Sequence, residues 1–272
     1  MQTLPQELLD TVIDELANLE GLKKLRGLKK LEGLKKLKSL ESPDNRPTRR
    51  IASYSLVSSA WVPRTRKHAF EFISFYGPEE LKKWCKLIEP GPAGVSQHAR
   101  YLVLSDINTL AGTETHIRAF TRVEWMQIRW CNFLLSPSVV ECFTPMGSLA
   151  ELEIGRSPTT SRVITSILAA LPRLERFAIQ DSKTTGDTDG MNLPLPRIPF
   201  FEGGNSLEVY SNPGRPDPPG PLDWVPPSAR FYHLGISARY FPHEAVPTNR
   251  WLSSSYTTLT SLLILGDPYC KS

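Results

Sequence analysis

Leu149-Ala150-Glu151-Leu152-Glu153-Ile154 and Leu174-Glu175-Arg176-Phe177-Ala178-Ile179 share one pattern, apolar-x-x-apolar-x-apolar. Its last three positions alternate, which on a strand sends Leu152 and Ile154 to one face and Glu153 to the other. Outward from these segments, the pattern recurs at Ala99/Leu102/Leu104, Val123/Met126/Ile128, Phe231/Leu234/Ile236 and Leu259/Leu262/Ile264, with a partial match at Leu207/Val209. The middle positions are separated by 24, 26, 25, 30, 27 and 28 residues. The intervening segments can supply a returning helix. Ser161 to Leu171 is the clearest, with Val163, Ile164, Ile167, Leu168 and Leu171 on one helical face.

A period in this range is the one expected of leucine-rich repeats. One strand and one helix cannot bury their shared face alone, whereas stacked units build a continuous core. The expected fold class is therefore α/β, with a parallel sheet in an irregular leucine-rich-repeat solenoid over residues 76–272. The terminal Asn of the repeat signature is absent at most positions, so ordinary α/β alternation with less regular packing is the competing reading. Residues flanking the buried positions would line the concave side: Trp125, Gln127, Arg129, Glu151, Glu153, Arg176, Gln180, Glu208, Tyr210 and His233. A mixed surface with Trp, Tyr and Arg suits recognition of a substrate protein better than phosphate tracking. Residues 194–227 hold 10 of the 24 prolines and interrupt the repeats. Within them Arg215-Pro-Asp-Pro218-Pro-Gly-Pro221 has a form that SH3 domains read as polyproline II, but a ligand-free loop between repeats is the preferred reading.

The N-terminal residues carry a second pattern. Leu8, Leu9, Val12, Ile13 and Leu16 fall on one broad helical face, with Thr3, Pro5 and Gln6 marking its start. Apolar spacing resumes at Tyr54, Val57, Ala60 and Trp61, and Pro63 opens a third helix with Arg66, Ala69, Phe70 and Ile73 on its face. Three such helices cannot bury this surface among themselves and need a partner. Between them, Gly-Leu-Lys-Lys-Leu is repeated from Gly21, Gly27 and Gly33, and leucines recur at a strict period of three from Leu19 to Leu40. A step of three falls ~60° short of a turn, so these leucines wind around a helix rather than forming a stripe. Residues 19–50 thus read as a low-complexity basic insertion in a solvated loop.

Leu4-Pro-x-Glu-Leu-Leu, the apolar helix ending near Leu16, Ser-Leu-Val-Ser-x-x-Trp and the basic helix beyond it resemble an F-box, with the nearest likeness to F-box-like proteins of mushroom-forming fungi. The resemblance covers residues 3–75 with one large gap. It implies a three-helix domain over residues 1–75 that docks on a Skp-type adaptor and so joins a cullin-based ubiquitin ligase. It also implies an adaptor contact made by Leu4, Pro5, Leu8, Ile13, Leu16, Val57 and Trp61. The chain departs from the family at the insertion, where an F-box has a short turn. A stand-alone repeat scaffold, whose first helices cap its own core, is the alternative.

Composition excludes other classes. The segment 19–50 carries a net charge of +7 and the rest of the chain −3, from a total of +4, so basic character is confined to one stretch and nucleic acid is not an expected partner. No apolar run approaches the ~20 residues a membrane-spanning helix needs. Cys85, Cys131, Cys142 and Cys270 lie far apart, as suits a reducing compartment, and the expected location is cytosol or nucleus. The histidines, His68, His98, His116, His233 and His243, form no ligand spacing, and no phosphate loop or nucleophile elbow occurs. Asp181, Asp187 and Asp189 do not match a calcium loop. Neither enzymatic activity nor a metal or other cofactor is expected.

Overall fold

The computed structural model describes residues 7, 11–15, 62–84, 94–107, 113–133, 139–182, 184–185, 198–202, 204–210, 224–226, 228–237, 249 and 251–265. The chain divides into two compact units, residues 1–72 and 73–272. In the first, residues 11–15 are helical and α1 spans Val62–Ala69. The third helix is thus shorter than its apolar spacing suggested. It stops at Ala69, and Ile73 belongs to a strand, β1 (Phe72–Tyr76), with Ile73 and Phe75 buried. Phe72-Ile-Ser-Phe-Tyr is rich in aromatic and β-branched residues, which favour a pleated half-buried surface.

The second unit is α/β. β1 is followed by α2 (Pro78–Trp84), β2 (Tyr101–Ser105), α3 (Glu114–Arg118), β3 (Trp125–Arg129), α4 (Val139–Phe143) and β4 (Glu151–Gly155). Then come β5 (Thr159–Thr160), α5 (Ser161–Ala170), β6 (Arg176–Gln180), β7 (Thr184–Thr185), β8 (Asn205–Tyr210), β9 (Phe231–Ser237) and β10 (Ser261–Leu265). β5 and β7 pair with each other, and the other eight strands form one sheet in the order β1-β2-β3-β4-β6-β8-β9-β10. Every described pairing from β2 to β10 is parallel. From β2 to β6 the register holds each apolar position opposite its counterpart: Leu102, Met126, Leu152 and Phe177 form one row and Leu104, Ile128, Ile154 and Ile179 the next. All eight are buried.

The last strand departs from this. Leu262, Leu263 and Ile264 are 43%, 42% and 51% exposed, so β10 carries the repeat pattern without the repeat's burial. The Pro-rich insertion departs in the opposite sense. Ile198, Phe200 and Phe201 at one end and Trp224 and Val225 at the other are buried, so both ends of the presumed loop are core. The Arg215–Pro221 stretch lies outside the described residues.

Local chemistry explains the returning helix α5. Thr160, in extended backbone, accepts a hydrogen bond from Val163 N–H at 3.2 Å, the arrangement of a helix N-cap. Ile164, Ile167, Leu168 and Leu171 are buried behind it.

Two ladders run across the strand ends. Gly77, Asp106, Trp130 and Arg156, each just past its strand, have φ of 80°, 56°, 52° and 53°. Each donates its N–H to the last carbonyl of the neighbouring strand: Ser105 at 2.8 Å, Arg129 at 3.0 Å, Gly155 at 3.0 Å and Gln180 at 2.7 Å. Asp181, past β6, has the same conformation at φ 51°. One residue further along, Cys131 N–H donates to Ser157 Oγ at 3.1 Å and Ser157 N–H to Ser182 Oγ at 3.3 Å. The loops therefore satisfy their backbone donors from the next unit rather than from water.

Gly204, with φ 68°, closes the approach to β8, and a Cβ there would meet the Tyr232 ring at 3.0 Å. Gly204→Ala is expected to destabilise the fold by about 1–3 kcal/mol through strain and this contact. Chemical denaturation would register it, and an unchanged midpoint would refute it.

Candidate binding surface

Strand alternation that buries the leucines sends the intervening residues to the opposite face. By register these form three rows. Tyr101, Trp125, Glu151, Arg176, Ser206 and His233 make the first, and Val103, Gln127, Glu153, Ala178, Glu208 and Gly235 the second. The third runs Ser105, Arg129, Gly155, Gln180 and Tyr210. All ten residues assigned from sequence to a recognition face therefore occupy adjoining positions on one side of the sheet.

The charged members neutralise one another. Arg176 donates from Nε and Nη2 to the two oxygens of Glu208 at 2.8 and 3.0 Å, and from Nη1 to Glu151 at 3.2 Å. His233 Nε2 lies 3.8 Å from Glu208. The Glu208 hydrogen bonds hold the Arg176 guanidinium even further above its ordinary range, against the opposing effect of burial. Arg129 Nη2 bonds to Glu153 at 2.8 Å. Its stem crosses Gly155, where a Cβ would stand 3.3 Å from Arg129 Cγ, so the missing side chain is what lets the arginine lie flat on β4.

Exposure sorts these residues. Arg176 and Glu151 keep 39% and 44% of their side-chain surface. Trp125, Arg129, Glu153, Gln180 and His233 are half-buried. Gln127 and Glu208 are each only 7% exposed. Tyr210 closes β8, and its side chain is outside the described set.

The residues expected at an adaptor contact fare differently. Leu4, Pro5, Leu8, Leu16, Val57 and Trp61 lie outside the described residues. Ile13 has no exposed surface, and its neighbour Val12 is 49% exposed. Asp14 ties this helical stretch to α1. Arg64 donates to it from Nε at 2.6 Å and from Nη2, and His68 Nε2 meets it at 2.8 Å. His68 Nδ1 faces Glu71 at 3.3 Å. With a carboxylate at each ring nitrogen, His68 needs both protons to satisfy them.

The Arg64 hydrogen bond holds the Asp14 carboxyl well below the ordinary carboxylate range, with burial opposing and His68 assisting. Glu71 and then Asp14 push His68 upward, again against burial. The depressed Asp14 value stabilises the tie above pH ~4, and that contribution fades as pH falls through the lowered range. The raised His68 value stabilises it below pH ~6.5, and that contribution fades as pH rises through the raised range. The tie is therefore expected to be strongest between pH ~4 and ~6.5. Hydrogen exchange of residues 11–15 across pH would check this, with Asp14→Asn removing the acid limb and His68→Gln the alkaline one. Protection that does not vary with pH in the wild type would overturn it.

Just beyond the strands lies a cluster that sequence reasoning missed. The Arg156 guanidinium sits 5.2 Å from the centre of the Trp130 ring, and its Nε is 3.7 Å from Asp181 Oδ2. Trp130 and Arg156 follow β3 and β4, outside the alternating positions, and only their shared left-handed backbone marks them as equivalent. Elsewhere Cys131 and Cys142 are buried, and burial pushes both thiols up to about 12. Among the described residues no group of His, Cys, Asp or Glu is arranged to hold a metal ion, and no helix is long and apolar enough to cross a membrane.

Comparison of the chain with protein-family models, with curated proteins and with solved structures finds no match.

Proposed function

We propose that this chain is a substrate-receptor subunit of a cullin-based ubiquitin ligase: its N-terminal helices engage a Skp-type adaptor, and its sheet receives a target protein. Catalysis of ubiquitin transfer would belong to other subunits. The observation that carries the reading is the stack of parallel strands at repeat spacing, with apolar rows on one face and Trp125, Arg176, Glu151 and His233 partly exposed on the other. The stack is read as a degenerate leucine-rich-repeat solenoid. In that signature an Asn or Cys follows the second strand leucine by three residues. Here Cys131, Ser157 and Ser182 stand at that position and carry the hydrogen bonds between units. At Ser157 and Ser182 a hydroxyl that accepts a backbone N–H thus stands where the signature has Asn or Cys.

For the N-terminal part, the Asp14 tie between residues 11–15 and α1 supports a helical unit, and Val12 supplies exposed apolar surface. One observation favours a second reading, a repeat scaffold without an adaptor: the chain itself covers Ile13 completely. Co-expression with a Skp-type adaptor separates the two. The receptor reading expects a stable complex that is lost on Leu8→Asp, Val12→Asp or Trp61→Ala. A monomer that stays soluble and ignores the adaptor would leave the scaffold reading standing.

A further inference from the structure

Five equivalent positions follow β1, β2, β3, β4 and β6, and all five adopt left-handed backbone: Gly77, Asp106, Trp130, Arg156 and Asp181. Glycine accepts this conformation freely and aspartate tolerates it, but bulky side chains adopt it only under strain. The sequence places tolerant residues at the first two positions and the last, and a tryptophan and an arginine at the middle two. Those two are neighbours, and their side chains touch. Backbone geometry alone does not call for them there.

The pair is built and partly open. Trp130 is 37% exposed, and 38% of the Arg156 side chain is. The Asp181 side chain beneath is wholly buried and holds Arg156 through Nε only, at a distance beyond a hydrogen bond. Among the described residues the two terminal guanidinium nitrogens make no hydrogen bond. Arg129 and Arg176 on the nearby strands, by contrast, are engaged with Glu153, Glu151 and Glu208. Arg156 is thus a cation fixed in direction by an aromatic ring and a buried anion, with its fork of donors unused. A planar donor fork matches an oxyanion in two-point geometry, and Trp and Arg are the residues that most often anchor protein interfaces.

We propose that Trp130 and Arg156 form a rim site that takes an acidic side chain, a carboxylate or a phosphate, from a peptide segment of a protein partner. The inference rests on the reading of this unit as the target-binding part and names the chemistry of that target. A single guanidinium with open outer nitrogens suits one acidic residue and not a nucleic-acid backbone, which needs a row of cations.

The test uses the full chain and labelled Gly/Ser peptides of equal length bearing paired glutamates, paired phosphoserines or paired glutamines. An acidic peptide is expected to bind roughly tenfold tighter than the glutamine peptide, with the preference shrinking in high salt. The glutamate and phosphoserine arms identify which oxyanion is preferred. Arg156→Gln should abolish the preference, and Trp130→Ala should weaken it several-fold. Because Arg156→Gln removes one ion pair from the buried Asp181, the double variant Arg156→Gln/Asp181→Asn serves as the folded control and should also show no preference. Equal binding of all three peptides overturns the proposal, as does an acidic preference that survives in the double variant. Duplex DNA bound through Arg156 while the acidic peptides are ignored overturns it too. Adaptor capture is measured separately: a chain that captures the adaptor but shows no peptide preference sinks only this inference. A chain that prefers acidic peptides but ignores the adaptor sinks only the ligase reading.

Discussion

Phe177→Ala is expected to destabilise the strand-bearing unit by about 3–5 kcal/mol, the range for deleting a buried aromatic ring. The Phe177 ring has no solvent exposure. It meets Phe200 edge-on at 6.3 Å and Trp224 at 5.7 Å. Phe201 continues the cluster to Phe200 at 5.5 Å and to Phe231 at 6.3 Å. These rings come from β6, from both ends of the Pro-rich insertion and from β9. Removing the one on β6 therefore opens a cavity lined by segments distant in sequence, and edge-to-face contacts worth ~0.5–1.5 kcal/mol each vanish with it. Phe177→Leu keeps most of the volume and should cost about half as much. Urea unfolding followed by circular dichroism would measure both. A loss for Phe177→Ala below ~1.5 kcal/mol would mean that the insertion ends do not seal the core as described.

That cluster also shows where the sequence stopped being legible. The strands β2, β3, β4, β6 and β9 fall where the apolar-x-x-apolar-x-apolar pattern puts them, because alternation and burial act on the same residues. Which strand positions share the face opposite the apolar rows follows by parity alone and needs no coordinates. β1 was not, since Ile73 stands at helical distance from Ala69 and Phe70 and the helix period absorbed it. Proline density marks the insertion as a loop but gives no hint that Phe200, Phe201 and Trp224 at its two ends are buried. Burial of Gln127 and Glu208 depends on what their long neighbours cover, and a period of two says nothing of that. The Trp130–Arg156 pair had no sequence signal at all: a φ near 50° leaves no trace in residue type when the occupant is not glycine.

Arg176→Met is expected to cost about 1–3 kcal/mol and to do so in a pH-dependent way. Breaking a fully buried ion pair by removing one partner costs ~3–5 kcal/mol, since the other charge stays desolvated. The figure is reduced here because water reaches 39% of the Arg176 side chain and screens its bonds. The Glu208 side chain is only 9% exposed, so it is the partner that loses most, and the His233 ring lies 3.8 Å from it. Glu151, 44% exposed, can turn to solvent at little cost. In the variant, the Glu208 carboxylate loses the two hydrogen bonds that favour its charged form. The deficit should then be complete at neutral pH and shrink as acid protonates the carboxylate. Arg176→Met/Glu208→Gln should recover most of the loss at neutral pH, because it removes both charges and not one. Thermal melts of the wild type and both variants at neutral and acidic pH would decide it. A deficit that is the same at every pH, or that the second substitution leaves intact, would show that Arg176 stabilises the sheet through the packing of its stem and not through Glu208.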